Sequence, residues 1–181
     1  MPVSSVMVPI GTSLPDFSLA EVTEGTFSRD DFADSPALLV AFVCNHCPYV
    51  RHIEQRLGEV LAQWPDLAVV GISSNDVASY PDDDAEHLAE QARRAGWTFP
   101  YLIDTEQTVG RAFKAACTPD FFLYDGEQRL AYRGAFDDST PGNGKPVTGA
   151  ALNAAIAAVL DGKPVPEPHQ PSMGCSIKWR S

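Results

Sequence analysis

The chain has 181 residues, a length that suits one domain and leaves little room for a second. Its hydrophobic (44%) and charged (20%) fractions are those of ordinary globular proteins, which excludes wholesale disorder. Lys+Arg 13 against Asp+Glu 24 gives a net charge of -11; such a field repels phosphate backbones and anionic lipid surfaces, so neither nucleic acid nor membrane is an expected partner.

No stretch reaches the ~20 apolar residues of a membrane span. Met1 to Met7 carries no basic residue and no long apolar run, so no signal peptide is expected and the default compartment is the cytoplasm. Thiols stay reduced there. Cys44, Cys47, Cys117 and Cys175 are therefore read as catalysts, metal ligands or passive core residues rather than as staples.

Leu14-Pro15-Asp16-Phe17-Ser18-Leu19 predicts a short edge strand, where Pro is tolerated. Ala37 to Val43 is a continuous apolar run of strand length, the pattern of a strand buried on both faces. Val50, Ile53, Leu57, Val60, Leu61 and Trp64 then recur at helical spacing, with Arg51, Glu54, Gln55, Arg56 and Glu59 on the opposite face. Trp64-Pro65 is expected to end that helix. Leu67 to Ile72 is a second buried strand. Asp82-Asp83-Asp84 precedes a helix through Ala95 closed by Gly96, and the acidic run is read as a solvated helix start.

Tyr101 to Ile103 predicts a short strand and Gln107 to Ala116 a helix. Asp120 to Tyr124 and Arg129 to Gly134 predict two strands joined at Asp125-Gly126. Ala150 to Leu160 is an Ala-rich final helix, stopped by Gly162 and Pro164. The order describes an α/β fold, a mixed central sheet with helices on both faces. Residues 1–162 are read as the domain and 163–181 as a Pro-rich tail on its surface. Met173, Cys175, Ile177 and Trp179 are more apolar than a linker needs, so the last part of the tail is expected to dock.

The chemistry centres on Val43-Cys44-Asn45-His46-Cys47-Pro48. Cys-x-x-Cys alone is a weak signal, shared with zinc sites. Here it lies between a buried strand and an amphipathic helix, where free N–H groups and the positive helix end stabilise a thiolate. Cys44 is expected to be the exposed nucleophile and Cys47 the covered thiol that resolves a mixed disulfide. His46 is expected to pair with the Cys44 thiolate. Pro48 suits the first helical turn. A cis peptide before Pro119 would set the Thr118 backbone beside the cysteines, where it could hydrogen-bond an extended substrate.

Gly11-x-x-Leu14-Pro15-Asp16-Phe17-x-Leu19, Cys44-x-x-Cys47-Pro48 and Thr118-Pro119-Asp120-Phe121-Phe122-Leu123-Tyr124-Asp125 resemble the redoxin (AhpC/TSA-type) branch of the thioredoxin-like superfamily. Arg133-Gly134-x-Phe136-Asp137-Asp138, Gly142-Asn143-Gly144-Lys145-Pro146 and Gly174-Cys175-Ser176-Ile177-Lys178-Trp179 are similar to its peroxiredoxin-like group that carries a Cys-x-x-Cys. The resemblance spans nearly the whole chain. It implies a thioredoxin-like fold, Cys44 and Cys47 as the redox pair and Pro119 as a cis-proline. Thioredoxins proper have Trp before the first Cys and Gly-Pro between the two, where this chain has Val43 and Asn45-His46. Peroxiredoxins use Pro-x-x-x-Thr/Ser-x-x-Cys, which neither Cys44 nor Cys47 satisfies.

The leading expectation is a thiol–disulfide oxidoreductase that needs no cofactor. Its partners are protein or small-molecule thiols and disulfides, and a reducing system of the thioredoxin or glutathione kind. Cys117 and Cys175 are candidate additional redox thiols, and a second exchange pair between them is one reading. One alternative is an antioxidant thiol peroxidase with an unusual site. Another is a Cu- or Zn-binding or delivery protein using Cys44, His46, Cys47 and His52. His87 and His169 are read as solvated, Trp64, Trp97 and Trp179 as packing residues, and Gly142 to Lys145 as a turn.

Overall fold

A computed structural model describes all of Met1–Ser181. The strands are β1 (Pro2–Ser4), β2 (Ser18–Glu21), β3 (Thr26–Ser28), β4 (Ala37–Phe42), β5 (Leu67–Ser73), β6 (Tyr101–Ile103), β7 (Cys117–Thr118), β8 (Asp120–Asp125), β9 (Leu130–Gly134) and β10 (Met173–Ser176). The helices are α1 (Pro48–Leu61), α2 (Ala85–Ala95), α3 (Thr108–Phe113) and α4 (Ala150–Leu160). The main sheet has seven strands in the order β3-β2-β6-β5-β4-β8-β9, and a second sheet has three in the order β1-β10-β7.

The apolar run at 37–43 becomes the centre of the main sheet. β4 pairs in parallel with β5 (Ala37↔Leu67 to Phe42↔Ile72) and antiparallel with β8 (Ala37↔Asp125 to Phe42↔Asp120). Every β4 residue is buried, because side chains alternate between two cores. Leu39 and Ala41 face α1, α2 and α4, through Leu57, Leu88 and Ile156. Leu38, Val40 and Phe42 face α3 and the amino-terminal segment, where Phe113 meets Phe42 and Phe122 edge-on at 5.3 and 5.7 Å. Helices thus cover both faces of a mixed sheet.

Several boundaries differ from the sequence reading. The strand expected at 14–19 begins only at Ser18, and it is not the edge; β3 is. Leu14 and Phe17 are buried without strand pairing of their own, apart from a lone bridge between Ser13 and Arg129. The helix expected over 107–116 shrinks to α3, bounded by Gln107 and Lys114 in the left-handed region (φ 63° and 57°). α1 stops at Leu61, ahead of Trp64-Pro65. Glu54, assigned to its solvent face, is buried: its carboxylate binds Arg94 (2.8 Å) and Gln91 (3.2 Å). α2 forms as expected. Asp84 caps it by accepting from the His87 N–H (2.9 Å), and Gly96 closes it at φ 73°.

The 163–181 segment crosses the surface and then enters the second sheet, with β10 between β1 and β7. Ile177 is buried, while Trp179 packs under the Arg111 guanidinium (4.3 Å). His169, read as solvated, is buried against Tyr132 and bonded to Arg133 (2.9 Å). No helix is long and apolar enough to cross a membrane.

α1 and α2 are clamped where a β-carbon on Gly58 would stand 2.7 Å from the Ala95 carbonyl oxygen. The Trp97 indole ties the same junction by donating to the Glu54 carbonyl at 2.8 Å. Helix propensity alone favours Ala over Gly by about 1 kcal/mol. Pushing two helix backbones apart costs about 1–3 kcal/mol. Gly58→Ala is therefore expected to lower the urea midpoint with little change in slope. A raised midpoint would show that the two helices separate freely.

Candidate active site

The two cysteines sit in the turn from β4 into α1. Val43 still bonds the sheet, its N–H donating to Ile72 O at 3.0 Å. Cys47 is the N-cap of α1 and Pro48 its first residue, where a missing N–H is harmless. Opposite this turn the chain makes a cis Thr118–Pro119 peptide bond. Thr118 Oγ1 lies 3.4 Å from Cys44 Sγ, and the Cys47 thiol donates to the Thr118 carbonyl at 3.3 Å. The Cys44–Cys47–Thr118–Pro119 grouping expected from the sequence is thus assembled.

Two expectations about that grouping are corrected. Cys44 is not exposed: Cys44 and Cys47 have relative exposures of 1% and 0%. The Thr118 backbone does not stand free for a substrate either. β10 pairs antiparallel with β7, placing Cys175 opposite Thr118 and Ser176 opposite Cys117. Gly174 permits this approach, since a β-carbon there would overlap the Thr118 carbonyl.

The charge within the pair is also redistributed. A hydrogen bond from the Cys44 thiol holds Cys47 down, against burial, with help from the Cys175 thiol, the Thr118 hydroxyl and the Val50 N–H; Cys47 falls to about 4. The same hydrogen bond, then burial and the charge of Asp83, push Cys44 well above an ordinary thiol. The pair therefore gives up one proton easily and holds the second tightly.

Nor does His46 serve Cys44 as expected. Its Nδ1 is bonded to Asp83, and its ring stacks on Tyr80 with centroids 5.1 Å apart. Asp83, read as part of a solvated acidic start, is fully buried and organises the loop. It accepts from the Asn45 N–H (2.8 Å), the His46 N–H (3.1 Å) and Asn75 Nδ2 (2.9 Å). Burial pushes Asp83 up, but the His46 and Asn75 bonds and the His46 charge carry it below its ordinary value. The Asp83 bond raises His46 in turn, against burial. Behind Cys44, Gln91 donates to its carbonyl at 2.9 Å and Tyr101 donates to Gln91 at 2.8 Å.

Cys44, His46 and Asp83 bring ligand atoms within 4.8 Å of one another, and these are the residues that could hold a cation. His52 is not among them; its Nε2 bonds Ser139 at 3.1 Å. Asp83 already accepts four N–H donors, so a metal would have to displace part of the loop's own support. Cys117 is buried, with its thiol toward Pro119 O (3.6 Å). Cys175 stands opposite Thr118, and it is Ser176 that stands opposite Cys117. Cys175 is the one cysteine of the four that is partly exposed. A shallow cleft of about 80 Å³ borders the site, lined by Tyr49, His52, Pro119, Phe136 and Met173. Asp120, just beyond Pro119, is fully buried; Oδ2 accepts from the Ala116 N–H (3.3 Å) while Oδ1 has no partner, and burial pushes the carboxyl up to about 8.

A mixed sheet with a dithiol turn at a helix start, facing a cis-proline, defines the thioredoxin-like class. The chain belongs within it to the AhpC/TSA family, whose profile matches residues 10–133. It is similar over its whole length to a hypothetical protein of Sinorhizobium meliloti 1021 (48% identity, TM-score 0.96, 98% of each chain covered). An uncharacterized conserved protein of Geobacillus kaustophilus is 42% identical, with TM-score 0.96 and coverage of 99% of this chain and 97% of that one. The fold is shared with a secreted disulfide oxidoreductase of Mycobacterium tuberculosis (16% identity, TM-score 0.62, 78% of this chain and 95% of that one). None of the curated proteins matches the chain.

Two outcomes follow from the buried carboxylates. Asp83→Asn is expected to return the His46 titration, followed by NMR, toward the ordinary imidazole value and to cost about 1–3 kcal/mol of stability. The imidazolium bond stabilises the fold below the ordinary His value of 6.5 and is lost as pH rises through the elevated folded value. An unmoved His46 midpoint would break the assigned pairing. Asp120 works in another window: its stabilising protonation is complete below 3.8 and is lost as pH climbs to about 8. Wild-type stability is therefore expected to fall across that range, and Asp120→Asn to flatten the fall in urea titrations at fixed pH values.

Proposed function

We propose that the chain is a thiol–disulfide oxidoreductase whose working couple is the Cys44–Cys47 dithiol and disulfide. The observation that carries this reading is a pair of buried sulfurs at the start of α1, facing the cis Thr118–Pro119 bond at 3.4 and 3.3 Å from Thr118. A pair with one thiolate and one retained proton is the reduced form that exchange requires.

In the reaction, Cys44 attacks one sulfur of a substrate disulfide as its proton passes across the S–H···S bond to Cys47. The substrate S–S bond breaks, one substrate thiolate leaves, and a mixed disulfide remains on Cys44. Cys47 then attacks Cys44 Sγ, closing the Cys44–Cys47 bond and releasing the second substrate thiol. The reverse sequence oxidises a dithiol. Donors around Cys47 stabilise the reduced state, so the couple is expected to be more oxidising than one between unperturbed thiols. Thiols and disulfides of proteins or small molecules are the substrate class, with a thiol-based system of the thioredoxin or glutathione kind to restore the couple.

Insulin reduction driven by dithiothreitol tests the reading. Cys44→Ser and Cys47→Ser are each expected to lose more than about 100-fold of the wild-type rate, because either change removes the exchange that closes the cycle. In Cys47→Ser the mixed disulfide with substrate, which the chain can no longer resolve, should become trappable. Full activity in either variant, or an inactive wild type with every thiol reductant, overturns the proposal.

A further inference from the structure

The pair is closed off and a third sulfur stands at its edge. Cys44 and Cys47 have exposures of 1% and 0%, whereas Cys175 is partly exposed. Cys175 packs against the buried cluster that contains Cys44 and Cys47, near enough for its thiol to help hold Cys47 down. Its position is held by backbone register, Cys175 opposite Thr118 and Pro2 opposite Cys175 on the other side. Ser172 Oγ donates to Pro119 O, and the Lys178 N–H to Asn75 Oδ1 at 2.8 Å, which pins both flanks of β10. Gly174 lets the strand lie against the Thr118 carbonyl. β10 thus occupies the place an extended substrate would take by strand addition beside the cis-proline, and it brings a sulfur there.

We propose that Cys175 is a third redox thiol, the port through which the buried Cys44–Cys47 couple exchanges electrons with thiols and disulfides outside. The inference rests on the oxidoreductase reading and assigns the sulfur that the couple meets in the closed fold. Cys175, ionising, attacks an outside disulfide RS–SR, forms Cys175–S–S–R and releases RS⁻, which takes the Cys175 proton. The Cys47 thiolate attacks Cys175 Sγ, breaking that bond, forming Cys47–Cys175 and releasing the second RS⁻. Cys44 passes its proton to this RS⁻ and attacks Cys47 Sγ. The Cys44–Cys47 bond closes, and Cys175 departs as a thiolate that regains a proton from solvent. The outside disulfide gains two electrons and the couple loses two. For this internal disulfide Cys47 attacks first, because it is the sulfur of the pair on which the Cys175 thiol acts.

Charge opposes ionisation of the resting Cys175 and eases its later departure, once Cys47 has lost its charge. Burial, then the hydrogen bond to Cys47 and its charge, hold Cys175 up at about 11, while Lys178 opposes them. Once Cys47 is in a disulfide its charge is gone, and burial and Lys178 remain. In the reverse direction an outside thiolate attacking Cys175 expels Cys47, the better-stabilised thiolate and hence the faster leaving group.

The test oxidises the full chain with glutathione disulfide, quenches in acid, alkylates and maps disulfides by mass spectrometry. Cys44→Ser is expected to accumulate Cys47–Cys175, and Cys47→Ser to accumulate glutathione on Cys175. Cys175→Ser is expected to slow formation of Cys44–Cys47 by more than about tenfold, since the buried sulfurs lose their accessible neighbour. A Cys44→Ser chain without the Cys47–Cys175 linkage, or a Cys175→Ser chain that closes Cys44–Cys47 at the wild-type rate, overturns the port while leaving the oxidoreductase reading intact. A wild type that forms no cysteine linkage at all sinks both.

Discussion

The burial of two cysteine sulfurs in one turn is the constraint on which the site depends. Each thiol alone would be made more basic by burial. Together, one sulfur donates and the other accepts, so the first ionisation becomes easy and the second hard. That arrangement requires the sulfurs to stay in contact, which in turn requires a fixed turn between β4 and α1. β4 sets one end through its pairing on both sides, and the Gly58–Ala95 contact fixes the axis of α1 at the other.

The turn itself is held from below by a carboxylate. Burying Asp83 would be costly without partners, and four N–H donors meet it, two of them from the turn's own backbone. The arrangement also determines what His46 does. Its ring belongs to Asp83 and Tyr80, so it is no hydrogen-bonding partner of Cys44 and meets the pair only through the charge of Cys47. Asp83 bears on Cys44 in the opposite sense, since its negative charge raises that thiol. Burial and the Asp83 charge thus both act against ionisation of Cys44.

Much of this was legible in the sequence because it is local. The continuous run of β4, the 3.6-residue stripe of α1, the Gly96 stop and the Cys-Pro turn each declare themselves within a few residues. What was hidden is nonlocal. Asp83 sits in a run of three acidic residues, and nothing within that run distinguishes the buried one from the cap, Asp84. Glu54 falls on the polar side of the α1 stripe, yet α2 covers it. Cys175 lies in a Pro-rich segment whose partner strand is far away in sequence, so its apolar neighbours could signal docking but not the register that sets it opposite Thr118. Gly174 was equally silent, because a glycine in a tail reads as flexibility until the Thr118 carbonyl is seen against it.

The β7–β10 pairing also bears on which molecules can use the site. A free Thr118 backbone would favour extended polypeptides, which gain affinity from main-chain hydrogen bonds along an open edge. Here β10 already takes that edge, and β1 covers the other side of β10. A polypeptide cannot add to Thr118 without removing a strand anchored by Ile177, Lys178 and Arg180. On the proposed route through Cys175, disulfides that need only a sulfur-to-sulfur approach are under no such restriction, because that thiol is partly exposed. The closed fold therefore selects by geometry at one atom rather than by strand pairing, and a net charge of -11 further disfavours strongly acidic partners.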